Sequence, residues 1–141
     1  MAQGKPELTQ DLLGYLRDRF PEMFTKAGLP DHGVRCGSGW RDLIVETLER
    51  LKAQSEKECA SVPQIRVIKE KFGALRISAQ PLTDKMDSIL VEAMNKSQAI
   101  CENCGAAGKA LVTGTGYKLT LCSRCKNLVD AEEAEKGYPD E

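Results

Sequence analysis

Cys101-Glu-Asn-Cys104-Gly-Ala-Ala-Gly-Lys-Ala-Leu-Val-Thr-Gly-Thr-Gly-Tyr-Lys-Leu-Thr-Leu-Cys122-Ser-Arg-Cys125 is the stretch from which the rest of the chain is read. It holds two CxxC pairs separated by 17 residues. Two residues between cysteines form a tight turn that sets both sulfurs on one side of an ion, and zinc favours four such thiolates in a tetrahedron. The spacing falls in the range of a four-cysteine zinc site, and Gly105 supplies the backbone freedom that such a knuckle uses. With all four positions thiolate, no coordination place is left for water, so the spacing implies a structural Zn2+ held by Cys101, Cys104, Cys122 and Cys125. A redox dithiol ordinarily has one CxxC beside a thioredoxin-like βαβ pattern, and no such pattern is present. Between the pairs, Ala110–Thr113 and Tyr117–Leu121 read as short strands around Gly114-Thr115-Gly116. A terminal helix over 127–135 follows, with Gly137 as its stop. Residues 101–141 thus read as a zinc-ribbon or treble-clef-like lobe with an acidic tail.

Upstream, apolar residues repeat with helical and then strand periods. Leu8, Leu12, Leu16 and Phe20 mark a helix over about 8–20, weakened by Gly14 and ended by Pro21. Lys26–Gly39 carries five Gly or Pro residues and reads as a loop. Ser38 is placed to cap a second helix, about 39–57, whose stripe is Trp40, Leu43, Ile44, Leu48 and Leu51. The alternation Ile65/Arg66/Val67 and Leu75/Arg76/Ile77 gives a β-hairpin over about 64–79 with its turn at Lys69–Gly73. Thr83 caps a third helix, about 84–99, which delivers the chain to Cys101. The fold class is therefore α+β, with a helical and β-hairpin domain over 1–100 and the cysteine lobe over 101–141.

The 141 residues carry 20 Lys+Arg and 21 Asp+Glu, a net charge of −1. No run of about 18 apolar residues crosses a membrane, and the N-terminal residues show no apolar signal core. The expectation is a cytoplasmic protein with reduced cysteines. Charge is uneven: −1 over residues 1–60, +4 over 61–125 and −4 over 126–141. That is weaker than the strongly basic footprint of a dedicated DNA binder, so nucleic acid is demoted as a partner without being excluded.

Two further groups carry chemistry. Arg66, Lys69, Lys71, Phe72 and Arg76 offer charge and an aromatic ring to a phosphate-bearing ligand. The plainer alternative is a solvated hairpin with Phe72 tucked into the core. His32 and Cys36, four residues apart in the loop, are the nucleophile–base alternative, but no third group accompanies them. Cys59 reads as a lone thiol.

Three blocks then stand out: Cys36-Gly-Ser-Gly-Trp40 opening a helix, Ile65-Arg-Val-Ile-Lys-Glu-Lys-Phe-Gly-Ala-Leu-Arg76, and Cys101-Glu-Asn-Cys104-Gly105 with Leu121-Cys122-Ser-Arg-Cys125. Together they resemble a group of small phage- and prophage-encoded proteins, over roughly residues 34–126. The resemblance implies an accessory phage protein in the host cytoplasm, directed at a host process or defence. The resulting expectation is a non-enzymatic zinc-binding protein that acts by binding a host or phage protein. The alternative is a nucleic-acid or small-nucleotide binder using hairpin 66–76.

Overall fold

The computed structural model describes residues 5–25, 34–112 and 116–136. Their order is α1 (Lys5–Arg19), β1 (Val34–Arg35), α2 (Arg41–Lys57), β2 (Gln64–Lys71), β3 (Ala74–Gln80), α3 (Asp84–Ser97), β4 (Lys109–Val112), β5 (Lys118–Leu121) and α4 (Ser123–Lys136). The chain is α+β, and its four clustered cysteines lie in the C-terminal region. No helix among the described residues is long and apolar enough to cross a membrane.

Helix α1 buries Leu12 and Leu16, with Phe20 just past its end, on the stripe expected for them. It stops before Pro21, which opens a short 3-10 turn over Pro21–Met23. Leu16, Phe20 and Met23 meet Trp40, Ile44, Leu48 and Leu51 of the second helical segment in one apolar core. That core also takes Ile65 and Ile68 of β2, Leu75 of β3, and Met86 and Ile89 of α3. Helix α3 is capped as its sequence requires, by the Thr83 side chain accepting from the Met86 N–H at 3.3 Å. It ends at Ser97, two residues before the expected Ala99. There the buried Ser97 hydroxyl donates to the Met94 carbonyl and accepts the Leu75 N–H at 2.9 Å, tying α3 to β3.

Three expectations are corrected. First, Val34–Arg35, assigned to the loop, is a short strand parallel to β2, with Val34 opposite Ile68 and Arg35 opposite Lys69. Two residues give too short a period to be read, and a neighbouring strand supplies the hydrogen bonds that make them a strand. Second, Ser38 does not cap α2. A 3-10 turn over Ser38–Trp40 precedes the helix, with no side-chain cap bond at its start. The Gly39 N–H of this turn, and that of Gly37 just before it, are met from a distant part of the chain instead.

Third, the hairpin turn is tighter than Lys69–Gly73. Strand β2 runs to Lys71 and β3 begins at Ala74, leaving Phe72-Gly73 as a two-residue turn with φ of 55° and 81°. Positive φ at both central positions is the type I′ pattern, which matches the twist of paired strands. The Glu70 carboxylate accepts the Gly73 N–H at 2.8 Å and steadies the turn. Phe72 consequently points outward and is 67% exposed, not tucked into the core.

Candidate metal centre

The first cysteine pair forms a closed turn. The Cys101 N–H donates to the Ala106 carbonyl at 2.7 Å, and the Gly105 N–H donates to the Cys101 carbonyl at 2.9 Å. Gly105 sits at φ +86°, which a side chain would strain. The antiparallel β4–β5 ribbon then returns the chain, with Lys109 opposite Leu121, and places Cys122 beside the first pair. Gly108 lets the ribbon pass close to that pair: a Cβ there would lie 2.8 Å from the Cys101 nitrogen. The terminal helix, expected to start at residue 127, begins at Ser123. Cys125 therefore lies in its first turn, and the second knuckle and the helix are one structure. Residues 113–115 and 137–141, which include Gly114, Thr115, Gly137 and the end of the acidic tail, lie outside the described residues.

The four sulfurs lie within 4.8 Å of one another, and Cys104 Sγ and Cys122 Sγ are 3.8 Å apart. That separation is far from the roughly 2.05 Å of a disulfide. The cluster can hold a metal ion. Cys101 and Cys125 are buried, Cys122 is half-buried and Cys104 is exposed, so the site is a clip at the edge of the lobe. Donors converge on the sulfurs. The Cys125 N–H reaches Cys122 Sγ at 3.4 Å and pulls that thiol down to about 7. Asn103 Nδ2 donates to Cys125 Sγ at 3.3 Å, while burial pushes the Cys125 thiol up. Cys101, Leu121 and Cys125 are the buried members of the lobe's small apolar cluster, joined by partly buried Leu111, Leu119 and Val129.

The lobe is latched to the α+β domain by residues that spacing alone did not single out. The Gly37 N–H donates to Glu102 Oε2 at 2.9 Å, and the Gly39 N–H donates to the Glu102 carbonyl at 2.7 Å. Glu102, between the first two cysteines, thus serves the turn that Ser38 was expected to serve. Burial pushes its carboxyl up to about 7, against the opposing effect of the Gly37 bond. The Trp40 indole N–H donates to the Ile100 carbonyl at 2.9 Å. On the other side, the buried Thr120 hydroxyl donates to the Gly73 carbonyl, seating the hairpin turn against β5. The Glu102 N–H reaches the Thr120 carbonyl at 2.9 Å and joins the two latches. All three distinctive sequence blocks therefore meet around Glu102. The short Gly37-Ser-Gly39 repeat was the visible signal, since glycines so close together often mark close backbone approach.

The remaining candidates lie elsewhere. Cys36 is buried, and burial raises its thiol well above the ordinary value. His32 lies outside the described residues. Cys59 is exposed at the end of α2. Of the hairpin set, Arg66 donates to Gln80 Oε1, Lys69 and Arg76 are cross-strand partners, and the Lys71 ammonium lies 5.7 Å from the Phe72 ring centre. None of them reaches the cysteine cluster. No protein-family model, curated protein or solved structure matches this chain.

Proposed function

We propose that this chain is a non-enzymatic binding protein whose C-terminal lobe is folded around one structural zinc ion. The sulfur geometry carries this reading. Zinc–thiolate bonds of about 2.3 Å in a tetrahedron put neighbouring sulfurs about 3.8 Å apart, the separation of Cys104 Sγ and Cys122 Sγ. A tetrahedral four-sulfur set selects zinc or iron, and a closed shell offers no place for an activated water. When bound, zinc supplies folding free energy to a lobe with little apolar core of its own.

The protein's own residues then do the positioning. Glu102 and the Gly37–Trp40 turn hold the lobe against the helices, and Thr120 holds the hairpin turn. The ribbon leading into a helix that carries the second knuckle supports a treble-clef-like lobe over a plain ribbon. Cys36, buried beside this junction and outside the four-sulfur cluster, is held in its protonated form by burial and is unsuited to nucleophilic attack. The resemblance to phage-encoded proteins supports an accessory role in the host cytoplasm, exercised by binding a host or phage macromolecule. Metal analysis of the purified protein tests the reading. About one zinc per chain is expected, and Cys104→Ser should lose it and loosen residues 101–125. A metal-free chain of undiminished stability overturns it.

A further inference from the structure

The charges of this protein are sorted by face. All five ion pairs among the described residues join the helical segments: Arg19–Glu49, Arg41–Asp42, Arg50–Glu92, Lys52–Glu22 and Lys96–Glu46. The sheet and lobe are different. Residues 34–40, 64–80 and 101–125 contain eight basic side chains and two acidic ones. Both acids, Glu70 and Glu102, accept backbone N–H groups inside the fold. None of the eight cations forms an ion pair among the described residues.

The register concentrates this excess. Arg35 on β1 lies opposite Lys69 on β2, which lies opposite Arg76 on β3. Directly opposed residues share a sheet face, and strands lie about 4.8 Å apart. Three like charges therefore stand in a row about 10 Å long, and Lys71, two residues on from Lys69, joins them on that face. Like charges directly opposite each other destabilise a sheet. Lys69 and Arg76 also line a groove of about 500 Å³ between β3 and α3, and its acid, Asp87, pairs with neither. At the hairpin tip, next in sequence to Lys71, the exposed Phe72 ring stands beside the Lys71 ammonium. Its turn rests on β5, immediately after the equally exposed Tyr117.

We infer that the Arg35–Lys69–Arg76 row, with Lys71 and Phe72, binds single-stranded nucleic acid. The uncompensated row fits a chain of phosphates. The exposed ring fits an unstacked base, which a duplex does not present. This rests on the binding-protein reading above and names its partner. Local pattern puts Arg35 in a loop, and only the parallel pairing of β1 adds it to the row.

The test is fluorescence anisotropy of the zinc-loaded full chain with labelled oligothymidine and oligouridine about 20 nucleotides long, longer than the usual single-domain site. A duplex of equal length and a mononucleotide serve as competitors. Single-strand affinity should fall with rising salt, with a log–log slope of about −0.7 for each phosphate neutralised. Lys69→Gln with Arg76→Gln should weaken binding and flatten the slope by about 1.4. The same double variant removes a like-charge pair, so it should melt at or above the wild-type temperature. Phe72→Ala should cost about tenfold in affinity and leave the slope unchanged. Lys57→Gln, at the far end of α2, should bind as wild type. A strand preference shared by DNA and RNA, or confined to one, supports the inference. No binding at low salt, unchanged binding by the double variant, or equal competition by duplex or mononucleotide overturns it. Zinc content and melting temperature, read on the same samples, show separately whether the metal reading holds.

Discussion

Gly39→Ala examines the junction on which the fold depends. A Cβ at position 39 would lie 2.3 Å from the Cys101 carbonyl oxygen and 2.5 Å from that of Glu102. Both are backbone atoms with no side-chain rotation to relieve the clash. Ordinary contact begins near 3.4 Å, so the lobe must retreat by about 1 Å. That lengthens the 2.7 Å Gly39–Glu102 bond beyond hydrogen-bonding distance and strains the 2.9 Å Gly37–Glu102 bond beside it. Stranding one neutral pair and one carboxylate-assisted pair costs about 3–5 kcal/mol. The total stability of such a domain is about 5–15 kcal/mol. Urea unfolding followed by circular dichroism reads the loss directly, and the melting temperature should drop by about 10 °C or more. The variant should also release its metal to a chelator faster than wild type, because the first knuckle loses its support. A stability within about 0.5 kcal/mol of wild type, as for an ordinary surface change, would refute the close-approach reasoning.

Four other outcomes are expected. Gly14→Ala, at an exposed position of α1 where a Cβ meets nothing within 4 Å, should raise stability by about 0.5–1 kcal/mol in the same urea assay. Thr120→Val keeps the side-chain shape but strands the Gly73 carbonyl, so a loss of about 1–3 kcal/mol is expected, and a neutral result contradicts that bond. Trp40 is the chain's one tryptophan, and its indole is tied to Ile100 beside the first ligand; chelation should shift its emission to longer wavelength, and unchanged emission after proven metal loss breaks the proposed link. Arg50 holds the Glu92 carboxyl below its ordinary value, so that pair contributes stability at neutral pH that disappears as pH falls through the lowered value. Glu92→Gln should therefore be less stable than wild type at neutral pH, with the gap closing in acid; a gap that widens on acidification reverses the sign of the argument.

Local pattern carried much of this protein. The apolar stripes of α1 and α2, the Thr83 cap and the alternating strands each express a period or a neighbour a few residues away, so they were legible without tertiary information. The two CxxC pairs were legible for the same reason, since each knuckle is a local turn. What their sequence could not express was how the lobe is held. Glu102 stands 65 residues from Gly37, and Thr120 stands 47 from Gly73; bonds over such separations leave no periodic trace. The failure of Ser38 as a cap belongs here: the distant Glu102 met the Gly37 N–H with its carboxylate and the Gly39 N–H with its backbone carbonyl, and local preference gave way to it. Phe72 went outward because a two-residue turn at Phe72-Gly73 replaced the longer one, and the Glu70 and Thr120 bonds steadied it there. Arg35 shows the division most sharply. Its residue type was visible from the start, but its place in a row of cations depends on a strand pairing that spans 34 residues. Residue chemistry and short-range periodicity are written along the chain, whereas the register between distant strands is decided only when the core closes and brings their backbones together.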